Sequence, residues 1–241
     1  KTGQPTYTYG IDTADRLLGL AHSEGEFSQV AQLLIDNQEG NLTGLDLYGY
    51  TGTISYGFAT SAGDEYSACA PLEVIAQKTD SLESGKLITG LGLAGIFNMM
   101  GEDHASEAYS PPSTNTDTIK TILDAIVGAT LACFSHTKVY TIIYDSGYDD
   151  GLINSYIPAN YFTVGFSESR LSAFNRAIAF TKCKAIVKAD GAIHVLNPTV
   201  SGAVYDYEYN DALVATNHTF FDKSVRKRLV IPNKITVKSY P

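Results

Sequence analysis

The chain has 241 residues, of which 44% are hydrophobic and 18% charged, with a formal net charge of −9. A chain of this length buries a full core as one large domain or two smaller ones, and its composition excludes an intrinsically disordered protein. Its acidity also excludes a general nucleic-acid binder, because phosphate contacts need clustered Lys and Arg.

Sixteen Tyr, 21 Gly and no Trp tilt the reading toward strands and turns. From the N-terminus, residues 14–20 are expected to form a short helix. Residues 30–35 read as a strand closed by a turn at 36–40, and 45–50 alternate in the same way. Gly49 and Gly52 bracket a turn into a strand at 53–58, and 74–77 and 86–93 add two more strands. Strands at this spacing, with Gly and Asn/Asp turns between them, predict an antiparallel barrel or sandwich. Residues 94–108 favour a helix, and 110–115, with Pro111 and Pro112, form the clearest break. Beyond it Ile119, Ile122, Leu123, Ile126 and Val127 fall at helical spacing, with Thr116 as the expected cap.

Residues 138–144 are strand-like, 145–160 form a polar loop, and 161–166 are expected to be a further strand. The next helix places Leu171, Phe174, Ala177, Ile178 and Thr181 on one face, with Ser167 as its cap and Glu168 in its first turn. Residues 185–188 and 192–196 flank Asp190-Gly191, a hairpin signal. Strands at 203–209, 225–231 and 235–237 follow. This order predicts an α+β fold: antiparallel β-barrel-like domains with an inserted or adjacent small α/β module. The expected divisions are a barrel-like domain with a terminal helix at 1–113, an α/β module at 114–200, and strands completing a second barrel-like sheet at 201–241.

Charge is unevenly placed. Residues 1–169 carry 6 Lys and Arg against 21 Asp and Glu, a net of −15, whereas 170–241 carry 11 against 5, a net of +6. Such a split suits charge-complementary contacts within the chain or between copies. Lys223, Arg226, Lys227 and Arg228 surround a strand start and are the candidate intersubunit contacts. The alternative is a solvated edge strand whose charges prevent sheet-to-sheet aggregation.

Motifs that would carry chemistry are weak. Gly90, Gly92 and Gly95 match G-x-G-x-x-G, but the acidic residue required about twenty positions on falls in the Pro-Pro break. Close strand–helix packing is therefore expected, and a nucleotide-binding enzyme is the least favoured function. Asp145, Asp149 and Asp150 offer oxygen ligands, yet the twelfth position counted from Asp145 is Tyr156, so an EF-hand is excluded and a surface loop is expected. His22, His104, His136, His194 and His218 show no zinc spacing. Glu102, Asp103 and Glu107 read as a solvated helix face. Cys69, Cys133 and Cys183 are odd in number and widely spaced, which predicts reduced and mostly buried thiols. The sequons at Asn41 and Asn217 are expected to be chance matches. No catalytic residue, cofactor or metal site is expected. The sequence holds no signal peptide and no apolar run long enough to span a membrane. With Lys1 first and methionine only at 99 and 100, the chain is expected to be part of a longer or trimmed protein.

Three pieces together resemble the tail-hub family of contractile and long-tailed bacteriophages, the baseplate hub or tail-associated proteins. They are residues 31–37 with 45–49 and 54–57, then 170–174 through Asp190, Gly191 and Val195, and finally the exit strand at 228–237. The resemblance implies a non-enzymatic virion component. Its copies would form a trimeric ring in which two barrel-like domains per subunit mimic the hexameric tube. That ring would join tail tube to tail tip, contact other tail or baseplate proteins, and let DNA pass through. It would be made in the host cytoplasm and reside in the virion tail. The alternative function is a receptor- or carbohydrate-binding module at the tail tip, using the many tyrosines.

Overall fold

A computed structural model describes residues 16–60, 63–198, 209–210 and 218–219. The fold is α+β, as expected: the described residues form a curled antiparallel sheet, three α-helices and smaller sheets. The chain divides into two units, residues 1–198 and 199–241. In the second, the described residues are Tyr209–Asn210, paired in parallel with His218–Thr219. The expected strands at 225–231 and 235–237 lie outside the described residues, as do most of 203–209.

In the first unit a five-stranded sheet has the order β1-β2-β7-β6-β3. Its strands are β1 (Leu17–Gly25), β2 (Ser28–Asp36), β3 (Thr51–Gly52), β6 (Leu72–Ser81) and β7 (Leu87–Ala94). A separate hairpin joins β4 (Ser55–Thr60) to β5 (Gly63–Ala68). β2 shows why the pattern makes a half-buried strand. Gln29, Ala31 and Ile35 are buried while Val30, Gln32 and Leu34 are exposed, the two-residue period of a sheet with one covered face. The covered face holds one core of Ala31, Ile35, Leu42, Leu47, Ile54, Leu72, Val74, Leu91 and Leu93.

The second core belongs to the α/β module. It packs α1 (Ile96–Glu102), α2 (Ile119–Val127) and α3 (Arg170–Ile178) with a mixed sheet of order β8-β10-β9. β10 (Ile193–Leu196) runs parallel to β8 (Ile142–Tyr144) and antiparallel to β9 (Lys184–Val187). The expected hairpin is present, with residues 189–191 as its loop. Asp190 does not adopt positive φ, whereas Gly191 does at 76°. Gly191 N–H donates to the Lys188 carbonyl and Lys188 N–H to that of Ala192. This is a three-residue loop with a left-handed glycine.

Several elements differ from expectation. Residues 17–20 join β1 rather than a helix, because a short apolar run carries no decisive period and pairing with β2 prevails. Residues 45–50 form turns. There the Gln77 amide serves the Leu45 carbonyl and the Leu47 N–H, so the backbone needs no ladder. α1 stops at Glu102, where Asp103 turns extended. Residues 161–166 contribute an isolated bridge between Val164 and Tyr109 rather than a strand. The helix caps are Thr118 and Ser169, each accepting an N–H three residues on, rather than Thr116 and Ser167. Ser167 has φ 61°, which cannot begin a helix.

Arg170 opens α3 and is fully buried, although it is charged. Its Nε donates to the Ile126 carbonyl at 2.9 Å and its Nη2 to that of Val127 at 2.6 Å, capping the end of α2. Its Nη1 reaches the Lys138 carbonyl at 2.6 Å and Asp103 Oδ2 at 3.0 Å, and the guanidinium lies over the Tyr140 ring at 5.1 Å. Burial, then the charges of Asp103 and Glu73, push the Tyr140 phenol up to about 12 despite the guanidinium. Removing the guanidinium strands a partly buried carboxylate and the Lys138 carbonyl, and takes one of their donors from the Ile126 and Val127 carbonyls. Arg170→Ala is therefore expected to cost about 3–5 kcal/mol. Arg170→Lys is expected to rescue little, because an ammonium lacks the planar fork. Urea unfolding of both variants checks this, and a loss under about 1 kcal/mol would contradict it.

Candidate assembly surface

Residues opposite one another across a sheet share a face. On the five-stranded sheet Leu20, Leu33, Leu91 and Gln77 form one row facing the core side. The next row, Gly19, Leu34, Gly90 and Lys78, therefore faces outward, as does the row Ala21, Gln32, Gly92 and Ala76. Glycine and alanine at five of these eight outward positions leave almost no side-chain relief. The result is a shallow groove of about 680 Å³ crossing the sheet. Leu34 stands in it between Gly19 and Gly90 with 38% of its surface exposed. Val30 is 39% exposed further along β2. Side chains this small at the floor allow another element to approach the backbone closely.

Gly90 and Gly92 thus have a role unlike a phosphate loop. The strand β7 runs straight through them, and both lie on the groove floor. Gly95 serves packing: a Cβ there would come within 2.8 Å of the Gln29 side chain, so β2 and the start of α1 meet only through a glycine. Sequence reasoning located these glycines and missed the groove. The alternation of Val30, Gln32 and Leu34 with small residues on neighbouring strands was its signal, but reading it requires the strand register.

The other sequence candidates divide as follows. Lys223, Arg226, Lys227 and Arg228 lie outside the described residues. The carboxylates of the 145–150 loop are engaged with the protein. Asp150 accepts N–H donors from Leu152, Ile153 and Lys182. Asp149 accepts from Gly151, and Asp145 pairs with Lys188 and His194. Asp103, expected on a solvated face, binds Arg170. His104 Nδ1 lies 2.9 Å from the Ser167 carbonyl. Cys133 and Cys183 are buried and free, and burial pushes the Cys133 thiol up to about 11. Among the described residues, the ligand atoms of His22, Glu24 and Cys69 are close enough to share an ion.

His194, on β10, joins a charge cluster with Asp145, Asp190 and Lys188. Its Nδ1 lies 2.6 Å from Asp145 Oδ1 and its Nε2 2.8 Å from Asp190 Oδ2. Lys188 Nζ adds a contact to Asp145 Oδ2 at 2.7 Å. Desolvation opposes the imidazolium, but the hydrogen bonds to Asp145 and Asp190 outweigh it and hold the His194 pKa above its ordinary value. Hydrogen bonds from His194 and Lys188 hold the Asp145 carboxyl below the usual range, and the Ala192 N–H followed by His194 does so for Asp190.

No protein-family model matches the sequence, and no curated protein matches it. Among solved structures, the chain is similar to the tail protein from Neisseria meningitidis MC58, at 9% identity and a TM-score of 0.48, over 79% of this chain and 48% of that one. It is also similar to the 43 kDa tail protein of prophage MuSo2 from Shewanella oneidensis, at 10% identity and a TM-score of 0.36, over 70% of this chain and 46% of that one. The chain spans about half the length of each.

A pKa raised in the folded state gives stability that is complete below the unfolded value and lost as pH rises through the folded one. The His194 contribution is therefore expected in full below about pH 6.5 and to fade above it. The two aspartates contribute in the opposite sense, and that part is lost as pH falls through their depressed pKa values. Thermal melts of the native chain and His194→Gln from pH 5 to 9 should show a gap that narrows as pH rises. A constant gap would contradict this reading.

Proposed function

We propose that this chain is a structural component of a bacteriophage or prophage tail. Its role is that of a hub, a ring of copies joining tail tube to tail tip. The observation that carries this reading is the outward face of the five-stranded sheet, an open groove floored by Gly19, Gly90, Gly92, Ala21 and Ala76 with Leu34 standing in it. A smooth sheet face of this kind suits another backbone packed broadly against it. An enclosed, mostly apolar cleft with a few converging polar groups would suit a small substrate better. Of the residues 31–37 that carry the first piece of the hub resemblance, Gln32 and Leu34 on β2 face this groove.

The occupant is a second copy of the chain. An interface of standard size buries about 800 Å² per partner, more than the groove alone supplies, so contacts beyond it are required. The charge split provides them, with the basic run Lys223, Arg226, Lys227 and Arg228 meeting the acidic first two-thirds of a neighbour. Three copies close the ring, DNA passes through it without sequence-specific contact, and other tail or baseplate proteins stack above and below.

Two substitutions test the groove. Leu34→Glu places a charge where a neighbour would pack and should weaken assembly about tenfold or more, roughly 1.4 kcal/mol. At Gly90 a Cβ would meet only carbonyl oxygens at 3.9 and 4.0 Å, so Gly90→Val should fold normally while filling the floor. Light scattering over a range of concentrations should report an oligomer for the native chain and a shift toward monomer for both variants. A strict monomer at high concentration, with no ring in the parent particle, would overturn the proposal. Reversing Arg226, Lys227 and Arg228 to Glu should also weaken assembly, and unchanged assembly would remove those residues from the interface.

A further inference from the structure

The region where β1 meets the β4–β5 hairpin carries a second, independent feature. His22 and Glu24 are two residues apart on β1 and so share a face. They lie opposite Ala31 and Gln29, both buried, which places that face on the core side. Cys69 directly follows β5, and its N–H donates to the Ile54 carbonyl at 2.8 Å. The imidazole nitrogen, carboxylate oxygen and thiol sulfur all lie within 4.8 Å of one another.

The His22 side chain is only 4% exposed. Its Nε2 is buried and makes no hydrogen bond, although Glu24 Oε1 stands 3.4 Å away. A buried imidazole nitrogen without a hydrogen-bond partner is costly and is aimed here at two other ligand atoms. The second ring nitrogen is already engaged, with Nδ1 lying 3.1 Å from the Tyr56 hydroxyl and the two rings stacked at 5.9 Å. When Nδ1–H donates to that hydroxyl, Nε2 keeps its lone pair. This is the tautomer a metal ligand requires, oriented by a partner outside the coordination sphere.

We propose that His22, Glu24 and Cys69 bind a divalent transition-metal ion of borderline softness, zinc or a chemically similar ion, with water in the fourth position. The nitrogen, sulfur and oxygen donor set matches zinc and does not match calcium or magnesium, which take oxygen ligands. Zinc bonds of about 2.0–2.3 Å hold tetrahedral donors roughly 3.3–3.8 Å apart. Rotation of the exposed Glu24 side chain and a small shift of Cys69 close the remaining distance. On binding, the ion replaces the thiol proton, which leaves to solvent. The physical effect is a clamp: two ligands on β1 and a third at the root of the hairpin join segments that belong to separate sheets.

The test uses the full chain without a purification tag, stripped with a chelator and then titrated with Co²⁺. The expected result is a near-ultraviolet cobalt–thiolate band that saturates at about one equivalent and is displaced by Zn²⁺. Cys69→Ser should abolish the band, His22→Gln should weaken binding at least about tenfold, and Glu24→Gln should weaken it by about tenfold. Circular dichroism and melting of the stripped variants identify any that fail to fold. Glu24→Gln changes an exposed side chain and keeps the test valid if Cys69→Ser misfolds; unchanged affinity in that variant overturns the proposal. It is likewise overturned by the absence of a band, by binding only at millimolar metal, or by a band that survives Cys69→Ser and so belongs to Cys133 or Cys183.

Discussion

The α/β module depends on one buried guanidinium. Arg170 closes the carboxyl end of α2, fixes the exit of α1 through Asp103, and holds the loop before β8 through the Lys138 carbonyl. Helix ends leave carbonyls without partners, and water satisfies them only at the surface. Here the end of α2 is buried, with Ile126 and Val127 fully inaccessible, so an internal donor is required. Arginine meets that need with a rigid fork that reaches several acceptors at once. The strand β8 is short for the same reason. The Lys138 carbonyl is committed to Arg170 and the Tyr140 N–H to Val127, so the ladder starts only at Ile142.

The five-stranded sheet is organised around a difference between its faces. Its core side buries Ala31, Ile35, Leu72, Val74, Leu91 and Leu93, and its outward side sets Gly and Ala beside single larger residues. Bulk is placed where it is buried, and flatness where the sheet is open. This division explains why one segment, 90–95, looked like a nucleotide loop in sequence. Glycine at every second position is what a strand needs to keep one face bare, and it also satisfies the first half of the phosphate-binding pattern.

Legibility followed the length and periodicity of each element. α2 was readable from five apolar residues at helical spacing, and all five are buried. The hairpin at 185–196 was readable from its Asp-Gly, and its loop at 189–191 is the one that the flanking strands imply. β1 was not readable, because its identity comes from pairing with β2 rather than from its own period. Arg170 was invisible as a core residue: hydropathy places arginine at the surface, and its acceptors lie 32, 43, 44 and 67 residues away. The outward groove was hidden likewise, since it depends on register between strands up to 71 positions apart, as Gly19 and Gly90 are. His22, Glu24 and Cys69 have no motif spacing because the third ligand comes from a different sheet.

The mixed sheet has a consequence for synthesis. β10 is the last of its three strands to be made, yet it occupies the middle position, between β8 and β9. Without it, β8 and β9 have no hydrogen-bonded contact with each other. While a ribosome is still adding residues before Ile193, both strands present unpaired edges and the α2–α3 core lacks its floor. The module therefore folds only after its final strand emerges, and the interval before that is when the nascent chain is most exposed to mispairing with a neighbouring copy.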